Sequence, residues 1–309
     1  MLLPDYVRSA TEERAAAVGF AALKRAAQAM SEAYRENSPY PMAGLPPADR
    51  VAAYLATRMP ATYAAAETVL REIQDYPIST VLDIGAGTGA ASLAAQHWFP
   101  RLSAITLIER DAALADAALE FLPDAQIRRE NFLQLATLPP HDLVIAAYSL
   151  GESPLPEVAS RLWQAARVAL VVIEPGTPRG FSLIRELRDR LLAAGAQMRA
   201  PCPGPGPCPI ASPDWCHFAA RVERTSLHRR LKGAELNYED EKFSYVVLVR
   251  QPAALPPSRI IRRPRHQPGL IVLENCTPRG IETVRVSKRN RELFRAARHA
   301  AWGDPFPPL

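Results

Sequence analysis

The four cysteines of this chain are its first candidates for a chemical role, because most of them are clustered in one short segment. Three lie within fifteen residues in PCPGPGPCPIASPDWCHF (201–218), a stretch too rich in Pro and Gly for a helix or a strand. With the fourth, they are Cys202, Cys208, Cys216 and Cys276. In a reducing compartment such cysteines are more often ligands or free thiols than disulfides. The gaps, C-x5-C-x7-C-x59-C, differ from the paired cysteines of zinc fingers, whereas four-cysteine iron–sulfur clusters accept wide gaps. The spacing predicts a closed metal site, iron–sulfur or zinc, with structural free thiols as the alternative.

A glycine loop, VLDIGAGTGA (81–90), is the second candidate site. Its glycines lack the Cβ atoms that would keep a ligand from the backbone, and the helix that follows attracts electronegative groups at its N-terminus. The spacing also fits a dinucleotide site, so a nicotinamide cofactor is the alternative. Asp83, before the first glycine, and Glu109, at the end of the next strand, favour S-adenosylmethionine. A carboxylate suits an amino group or ribose hydroxyls, but a nearby pyrophosphate would repel Asp83. Together these residues resemble the cofactor site of the seven-strand methyltransferases.

The remaining cofactor contacts are predicted from their positions after strands. Asn131 and Phe132 follow the third strand and are assigned to adenine, with a plain loop Asn and a core Phe as the alternative. The run AAYSLGE (146–152) follows the fourth strand, where methyl acceptors bind, but it offers no obvious nucleophile or general base. The catalytic residues therefore stay unassigned. The full set predicted to bind S-adenosylmethionine is Asp83, Gly85, Ala86, Gly87, Gly89, Glu109, Asn131, Phe132 and Ala147.

The predicted secondary structure changes from helical to alternating strands and helices along the chain. Residues 6–36 and 48–75 are Ala-rich with helical periodicity and are separated by the loop SPYPMAGLPP. From residue 78, short apolar runs alternate with amphipathic segments, which is typical of a parallel, doubly wound α/β sheet. We therefore predict an N-terminal helical region (1–76), a seven-strand, class I, Rossmann-like S-adenosylmethionine-binding domain (77–200) and a basic α+β extension that carries the cysteines (201–309).

The charge is unevenly distributed. Residues 1–220 carry 19 Lys and Arg against 23 Asp and Glu, a net −4, whereas residues 221–309 carry 18 against 9, a net +9. Such a segment favours a polyanionic partner, RNA first, with a solvated basic face as the alternative. The acidic run YEDE (238–241) is expected to pair with nearby arginines or to close a turn. The three basic runs are Arg221, Arg224, His228, Arg229, Arg230 and Lys232; then Arg259, Arg262, Arg263 and Arg265; and finally Lys288, Arg289, Arg291, Arg295 and Arg298.

The start of the chain carries acids early and has no continuous apolar core, and no window approaches eighteen apolar residues. We therefore expect a soluble, cytoplasmic protein without a membrane partner. A monomer is expected because the predicted partner is RNA.

Four segments resemble one family, that of the mitochondrial small-ribosomal-subunit methyltransferase-like proteins and their bacterial relatives. They are RMPATYAA (58–65), IEPGTPRGF (173–181), DWCHFAARVERTSLHRRLKGAELNYEDEKFSYVVLVR (214–250) and SKRNRELFRAARHAAWGD (287–304). The resemblance implies a methyltransferase fold, S-adenosylmethionine, a role in small-subunit assembly with ribosomal RNA as partner, and a [4Fe-4S] cluster. The cluster ligands would be the four cysteines, which places iron–sulfur above zinc and makes the cluster a structural clip.

Three interpretations follow. The first is an S-adenosylmethionine-dependent methyltransferase acting on small-subunit ribosomal RNA. The second is a catalytically inactive assembly factor that retains S-adenosylmethionine as a ligand. The third is an iron–sulfur redox sensor that controls RNA binding.

Overall fold

The computed structural model describes residues 2–35, 44–151 and 153–307. Each Ala-rich region forms two helices rather than one. The first divides at Gly19, whose φ of 81° is a left-handed conformation, and the second divides at Arg58. Of the loop predicted between them at 38–47, residues 38–43 fall outside the described residues. The four helices are α1 (Asp5–Val18), α2 (Phe20–Arg35), α3 (Pro47–Thr57) and α4 (Met59–Leu70).

A mixed β-sheet forms the centre of the molecule. Its strands are β1 (Thr80–Ile84), β2 (Ala104–Ile108), β3 (Gln126–Arg128), β4 (His141–Ala147), β5 (Ala166–Pro175), β6 (Gln197–Ala200), β7 (Phe218–Glu223) and β8 (Tyr238–Val249). The helices among them are α5 (Ala90–Trp98), α6 (Ala112–Phe121), α7 (Leu155–Ala165), α8 (Pro178–Ala193) and α9 (Ser226–Lys232), with 3-10 turns at Arg71–Ile73 and Phe132–Gln134.

The strand order is β3-β2-β1-β4-β5-β8-β6, and β7 also pairs with β8. The first five strands are parallel, and β8 runs antiparallel to β5. The described residues thus give an eight-stranded sheet, one strand more than predicted, because β6 and β7 share the outer edge of β8. The sheet also continues past residue 200, since β7 and β8 belong to it.

The central strands are buried on both faces, which explains their continuous apolar runs. Alternate residues enter two cores. On one face, residues such as Val81 and Val171 belong to a core that also contains residues of α1 to α6. On the other face, residues such as Leu82 and Val172 belong to a core that also contains residues of α7 and α8. Because β1, β2, β4 and β5 are parallel, their carboxyl ends lie at one edge of the sheet. Open α/β sheets bind their ligands at this edge.

In the described ranges of the chain, a second sheet of five strands follows the main one. Its strands and the adjoining helix are β9 (Ser258–Ile260), β10 (Arg265–Gln267), β11 (Leu270–Thr277), β12 (Gly280–Ser287), α10 (Arg291–His299) and β13 (Pro305–Phe306). The strand order is β10-β11-β9-β13, and β12 pairs antiparallel with β11. The basic helix α10 follows β12. No helix in the described part of the chain has the length and apolar character needed to cross a bilayer.

Candidate functional site

The glycine loop joins β1 to α5 at the carboxyl edge of the sheet. Gly85, Gly87 and Gly89 have φ values of 65°, 55° and 79°, a left-handed conformation that L side chains rarely adopt. A Cβ on Gly87 would lie 2.9 Å from the Tyr54 hydroxyl, and one on Gly85 would lie 2.6 Å from the Ser149 Cβ. Glycine is therefore required by conformation at both positions, and at Gly85 by space as well.

Two buried carboxylates flank this loop. Asp83 is 1% exposed and accepts a hydrogen bond from the Ser92 hydroxyl at 2.8 Å, and burial raises its pKa to about 6. Glu109 is 8% exposed and accepts from the Gly87 and Asp111 backbone N–H groups, each at 2.8 Å. Burial raises the pKa of Glu109 as well. Glu109 thus lies directly at the glycine loop, with one oxygen bonded to the middle glycine.

The other predicted contacts lie along the same edge. The Ala86 N–H donates to the Ile108 carbonyl at 3.2 Å, and Ala147 ends β4. Asn131 caps the 3-10 turn by accepting from the Leu133 N–H at 3.1 Å. Phe132 packs partly against the core beneath α7 and α8. Contact of these four residues with a cofactor stays a prediction.

Helix α3 lies against the glycine loop. Besides the approach of Tyr54 to Gly87, the Arg50 guanidinium pairs with the Asp111 carboxylate at 3.0 Å in a largely buried ion pair. The N-terminal helices therefore form one wall of this site, a relation that the linear sequence does not reveal.

Three polar residues at this edge were missed by sequence reasoning. Tyr148, directly after β4, has a φ of 57°, and its hydroxyl donates to the Glu241 carboxylate at 3.0 Å. Glu174, 2% exposed near the end of β5, accepts from the Leu150 N–H at 2.9 Å, and burial raises its pKa to about 7. A carboxylate at the end of a predicted strand (IEPG) was a usable signal for Glu174. No spacing links residues 148 and 241.

The four cysteines line a single cavity of about 110 Å³. All four are half-buried and none forms a disulfide. Among the residues that the structure describes, no three Cys, His, Asp or Glu side chains are close enough to hold one metal ion. The fold therefore gathers the thiols around a common cavity without a preformed single-ion site.

The cavity environment acts on the thiols in two directions. Burial and the neighbouring thiols raise the pKa of Cys276 to about 12, and burial raises the pKa of Cys216 well above its ordinary value. For Cys202, burial also raises the pKa, while the Arg188 and Arg259 charges lower it. These two cations are the groups that would stabilise a negatively charged, thiolate-bound centre.

The same two arginines hold the cysteine loop in place. Arg188, 4% exposed, donates to the Gly206 carbonyl at 2.5 Å and to the Gly204 carbonyl at 3.2 Å. Arg259, 2% exposed, donates from Nε to the Pro201 carbonyl at 2.5 Å. Arg259 belongs to the second predicted RNA-binding run, but its burial removes it from the surface.

Most of the remaining arginines in the first two basic runs have acidic partners. Arg224 and Lys232 pair with Glu239 at 2.7 and 2.8 Å, and Arg221 and Arg263 pair with Asp240, each at 3.0 Å. Pairing of the YEDE run with arginines is thus confirmed for these two acids.

The third run differs from the first two. Leu293, Phe294 and Ala297 of α10 pack on the core of the second sheet, which turns one helix face to solvent. That face carries Arg291, Arg295 and Arg298, all exposed, which we call the α10 arginine face. Within residues 2–35, 44–151 and 153–307, these three arginines form no ion pair.

The strand order and the glycine loop at the carboxyl edge define the class I, Rossmann-like α/β fold of S-adenosylmethionine-dependent methyltransferases. Within that class, the chain belongs to the Rsm22 family, whose description is "Mitochondrial small ribosomal subunit Rsm22" and whose model matches residues 48–307. The family-level resemblance found in the sequence is thereby confirmed.

Two curated relatives extend this comparison. Ribosome assembly protein METTL17, mitochondrial, from Homo sapiens is 30% identical over 296 residues, which cover 83% of this chain and 62% of the human protein. Rsm22-cox11 tandem protein 2, mitochondrial, from Schizosaccharomyces pombe is 26% identical over 324 residues, covering 84% of this chain and 43% of the yeast protein. The chain thus spans less than two-thirds of the length of either relative. Among solved structures, the precorrin-6y C5,15-methyltransferase from Geobacter metallireducens GS-15 aligns over 60% of this chain and 87% of that chain at 16% identity, with a TM-score of 0.41, a similarity too weak to add to the assignment.

Proposed function

We propose that this protein binds S-adenosylmethionine at the glycine loop and acts in assembly of the small ribosomal subunit. The ribosomal role is supported by the family, since its description refers to the mitochondrial small ribosomal subunit and the human relative is named a ribosome assembly protein. The cofactor is supported by the charges that surround the loop.

The main support for the cofactor proposal is a set of three buried carboxylates at the carboxyl edge of the main sheet. Asp83, Glu109 and Glu174 are 1%, 8% and 2% exposed. A ligand with a sulfonium and an ammonium group gains from this field, whereas the pyrophosphate of a dinucleotide would be repelled by it. In this proposal the Glu109 carboxylate accepts hydrogen bonds from the ribose hydroxyls. The backbone of the glycine loop lies along the methionine part of the ligand.

Binding and methyl transfer are tested together with Gly87→Asp, since that side chain would meet Tyr54, distort the loop and add a further carboxylate to it. Calorimetric titration of wild-type protein with S-adenosylmethionine should show binding that the variant lacks. Methylated nucleotides of small-subunit ribosomal RNA are then mapped by mass spectrometry in a deletion strain that carries either gene. A methyl group restored only by the wild-type gene identifies an enzyme and its target. An unchanged map with accumulating immature subunits identifies an assembly factor that only binds the cofactor. Wild-type protein that does not bind S-adenosylmethionine would refute the cofactor proposal.

The cysteine cavity supports a second part of the proposal, a structural [4Fe-4S] cluster on Cys202, Cys208, Cys216 and Cys276. A four-iron cluster takes one thiolate on each iron, so its ligands are spaced around a cavity rather than gathered on one ion. All four thiols line the cavity, and Arg188 and Arg259 would offset the negative charge of the bound thiolates. When bound, the cluster would tie the loop to β11 through Cys276.

The Cys208→Ser variant tests this part. Anaerobically purified wild-type protein should hold four irons and four sulfides per chain. The variant should lose iron, and residues 201–280 should become sensitive to proteases. A variant that binds no iron yet keeps the melting temperature and protease resistance of wild type would contradict a structural cluster.

The α10 arginine face is the surface that we propose for ribosomal RNA. Its arginines are exposed and turned away from the core, so they can contact phosphates without first breaking an ion pair. Lys288 and Arg289 precede the helix and are also exposed, and they extend the positive surface along one side of the second sheet.

Charge-matched triple variants test this surface. Replacing Arg291, Arg295 and Arg298 by Gln should reduce the slope of log affinity against log salt for small-subunit RNA by about 2 to 3. The control replaces three exposed arginines that already pair with acids, Arg221, Arg263 and Arg265, and changes the net charge equally. Equal losses in the two variants would show that net charge, rather than this face, determines binding.

A further inference from the structure

A strained tyrosine marks the acceptor side of the proposed cofactor site. Tyr148 follows β4 directly, and its φ of 57° is a conformation that costs a residue with a Cβ about 1 to 2 kcal/mol. Its N–H donates to the Ile173 carbonyl at 2.8 Å, and its hydroxyl donates to Glu241 at 3.0 Å. The surrounding structure therefore holds Tyr148 in one orientation, and such strain is concentrated at functional sites.

Glu241 reaches this position through the register of β8. Pro175, the last residue of β5, pairs with Phe243 of β8, so Glu241 lies two residues beyond the carboxyl end of β5. The two acids that precede it on the strand, Glu239 and Asp240, form ion pairs with basic residues. Glu241 instead accepts a hydrogen bond from Tyr148, at the carboxyl edge of the sheet where the glycine loop also lies.

The turn that carries Tyr148 also contacts the glycine loop. Ser149, the next residue, lies 2.6 Å from where a Gly85 Cβ would be, and the Tyr54 hydroxyl lies 2.9 Å from where a Gly87 Cβ would be. The Tyr148–Glu241 pair is therefore one residue away from a direct contact with the loop on which the methyl donor is proposed to lie. It occupies the side of β4 and β5, opposite Glu109.

We infer that Glu241 is the proton acceptor for methyl transfer to an N–H or O–H group of RNA, and that Tyr148 positions its carboxylate. This inference rests on the proposed binding of S-adenosylmethionine. In the step, the acceptor nitrogen or oxygen attacks the methyl carbon, the new C–N or C–O bond forms, and the C–S bond breaks with its electron pair returning to sulfur as a neutral thioether. The acceptor's proton passes to Glu241 and then to water.

The environment of Glu241 suits that role. The pKa of its carboxyl group is raised, chiefly by burial and also by the charge of Glu239. The hydrogen bond from Tyr148 and the charges of Arg58 and Lys232 act in the opposite direction. A base is most effective when its pKa is close to the working pH, and a well-placed one contributes about 10² to 10⁴ in rate.

The test measures transfer of labelled methyl groups from S-adenosylmethionine to immature small subunits isolated from a deletion strain. Glu241→Gln should bind the cofactor as wild type does but transfer methyl groups at least about 100-fold more slowly, and its residual rate should lose the dependence on pH that wild type shows. Tyr148→Phe should give a smaller loss with a shifted pH profile. The matched control, Glu235→Gln, changes an exposed glutamate in the turn before the same strand and should behave as wild type.

Three results would overturn the inference, and they are distinguishable. Equal rates for wild type and Glu241→Gln would show that Glu241 is not the base. Wild-type protein that binds S-adenosylmethionine but methylates no RNA in these particles would refute the inference and leave the binding proposal intact. Wild-type protein without affinity for the cofactor would refute the binding proposal, and the inference with it.

Discussion

Replacing Glu72 by Gln tests whether one buried ion pair holds the N-terminal helices, the cysteine loop and the C-terminal segment together. The Arg259 guanidinium donates to Glu72 at 2.6 and 3.3 Å, to the Pro201 carbonyl at 2.5 Å and to the Gly303 carbonyl at 2.7 Å. Arg259 is 2% exposed and the Glu72 side chain is 20% exposed. Three distant parts of the chain thus meet at a single cation.

The expected effect follows from what Gln leaves behind. Gln keeps one acceptor oxygen but removes the negative charge. Its amide N–H₂ group would face one of the two Arg259 nitrogens that donate to Glu72 in the wild-type protein. Removing one partner of a buried ion pair costs about 3 to 5 kcal/mol because the other charge stays buried. Since Glu72 is partly exposed and one hydrogen bond is kept, we expect about 3 kcal/mol.

Urea unfolding under anaerobic, reducing conditions measures this change. With a slope of about 3 kcal/mol per molar urea, the midpoint should fall by about 1 M. The control is Glu186→Gln, which removes an exposed pair with Arg190 at 2.9 Å and should cost under about 0.5 kcal/mol. Adding Arg259→Met to Glu72→Gln should recover part of the loss, because the unpaired charge is then gone. A Glu72→Gln variant no less stable than the control would show that the Glu72–Arg259 ion pair does not hold these segments together.

Two further predictions concern the cofactor site. The raised pKa values of Asp83 and Glu174, about 6 and about 7, mean that the folded protein binds these protons more tightly than the unfolded chain. The free energy of unfolding of the ligand-free protein should therefore fall as pH rises from about 4 through 7, by about 3 kcal/mol for each group. Urea unfolding at pH 5 and pH 8 should show a smaller fall for Asp83→Asn, and an identical fall would contradict the assignment. Gly87→Ala should lower stability by about 1 to 2 kcal/mol and abolish S-adenosylmethionine binding, because its φ is 55° and the new Cβ would meet Tyr54. Unchanged affinity in a calorimetric titration would show that the cofactor does not approach this glycine.

Local pattern was sufficient for much of the fold. The apolar runs from residue 78 predicted parallel strands alternating with helices, and β1 to β5 have that arrangement. The pattern did not reveal that β7 joins the main sheet beside β8, because a strand's partner depends on register and on the free edge, not on its own residues. It also did not separate α1 from α2, where the conformation of Gly19 decides the break.

For the candidate sites, the types of residue could be predicted from the sequence, but their contacts and burial could not. The order of residues was enough to predict a glycine loop after the first strand with acids on either side, four available thiols, and a basic last third of the chain. Three-dimensional packing was needed to show that Arg259 is buried beside the cysteine loop, that Glu239 and Asp240 neutralise much of the first basic run, and that Glu241 contacts Tyr148. The difference arises because glycine conformation and side-chain chemistry are local properties of the chain. Burial and ion pairing, in contrast, arise from packing between segments as many as 187 residues apart, as Glu72 and Arg259 are.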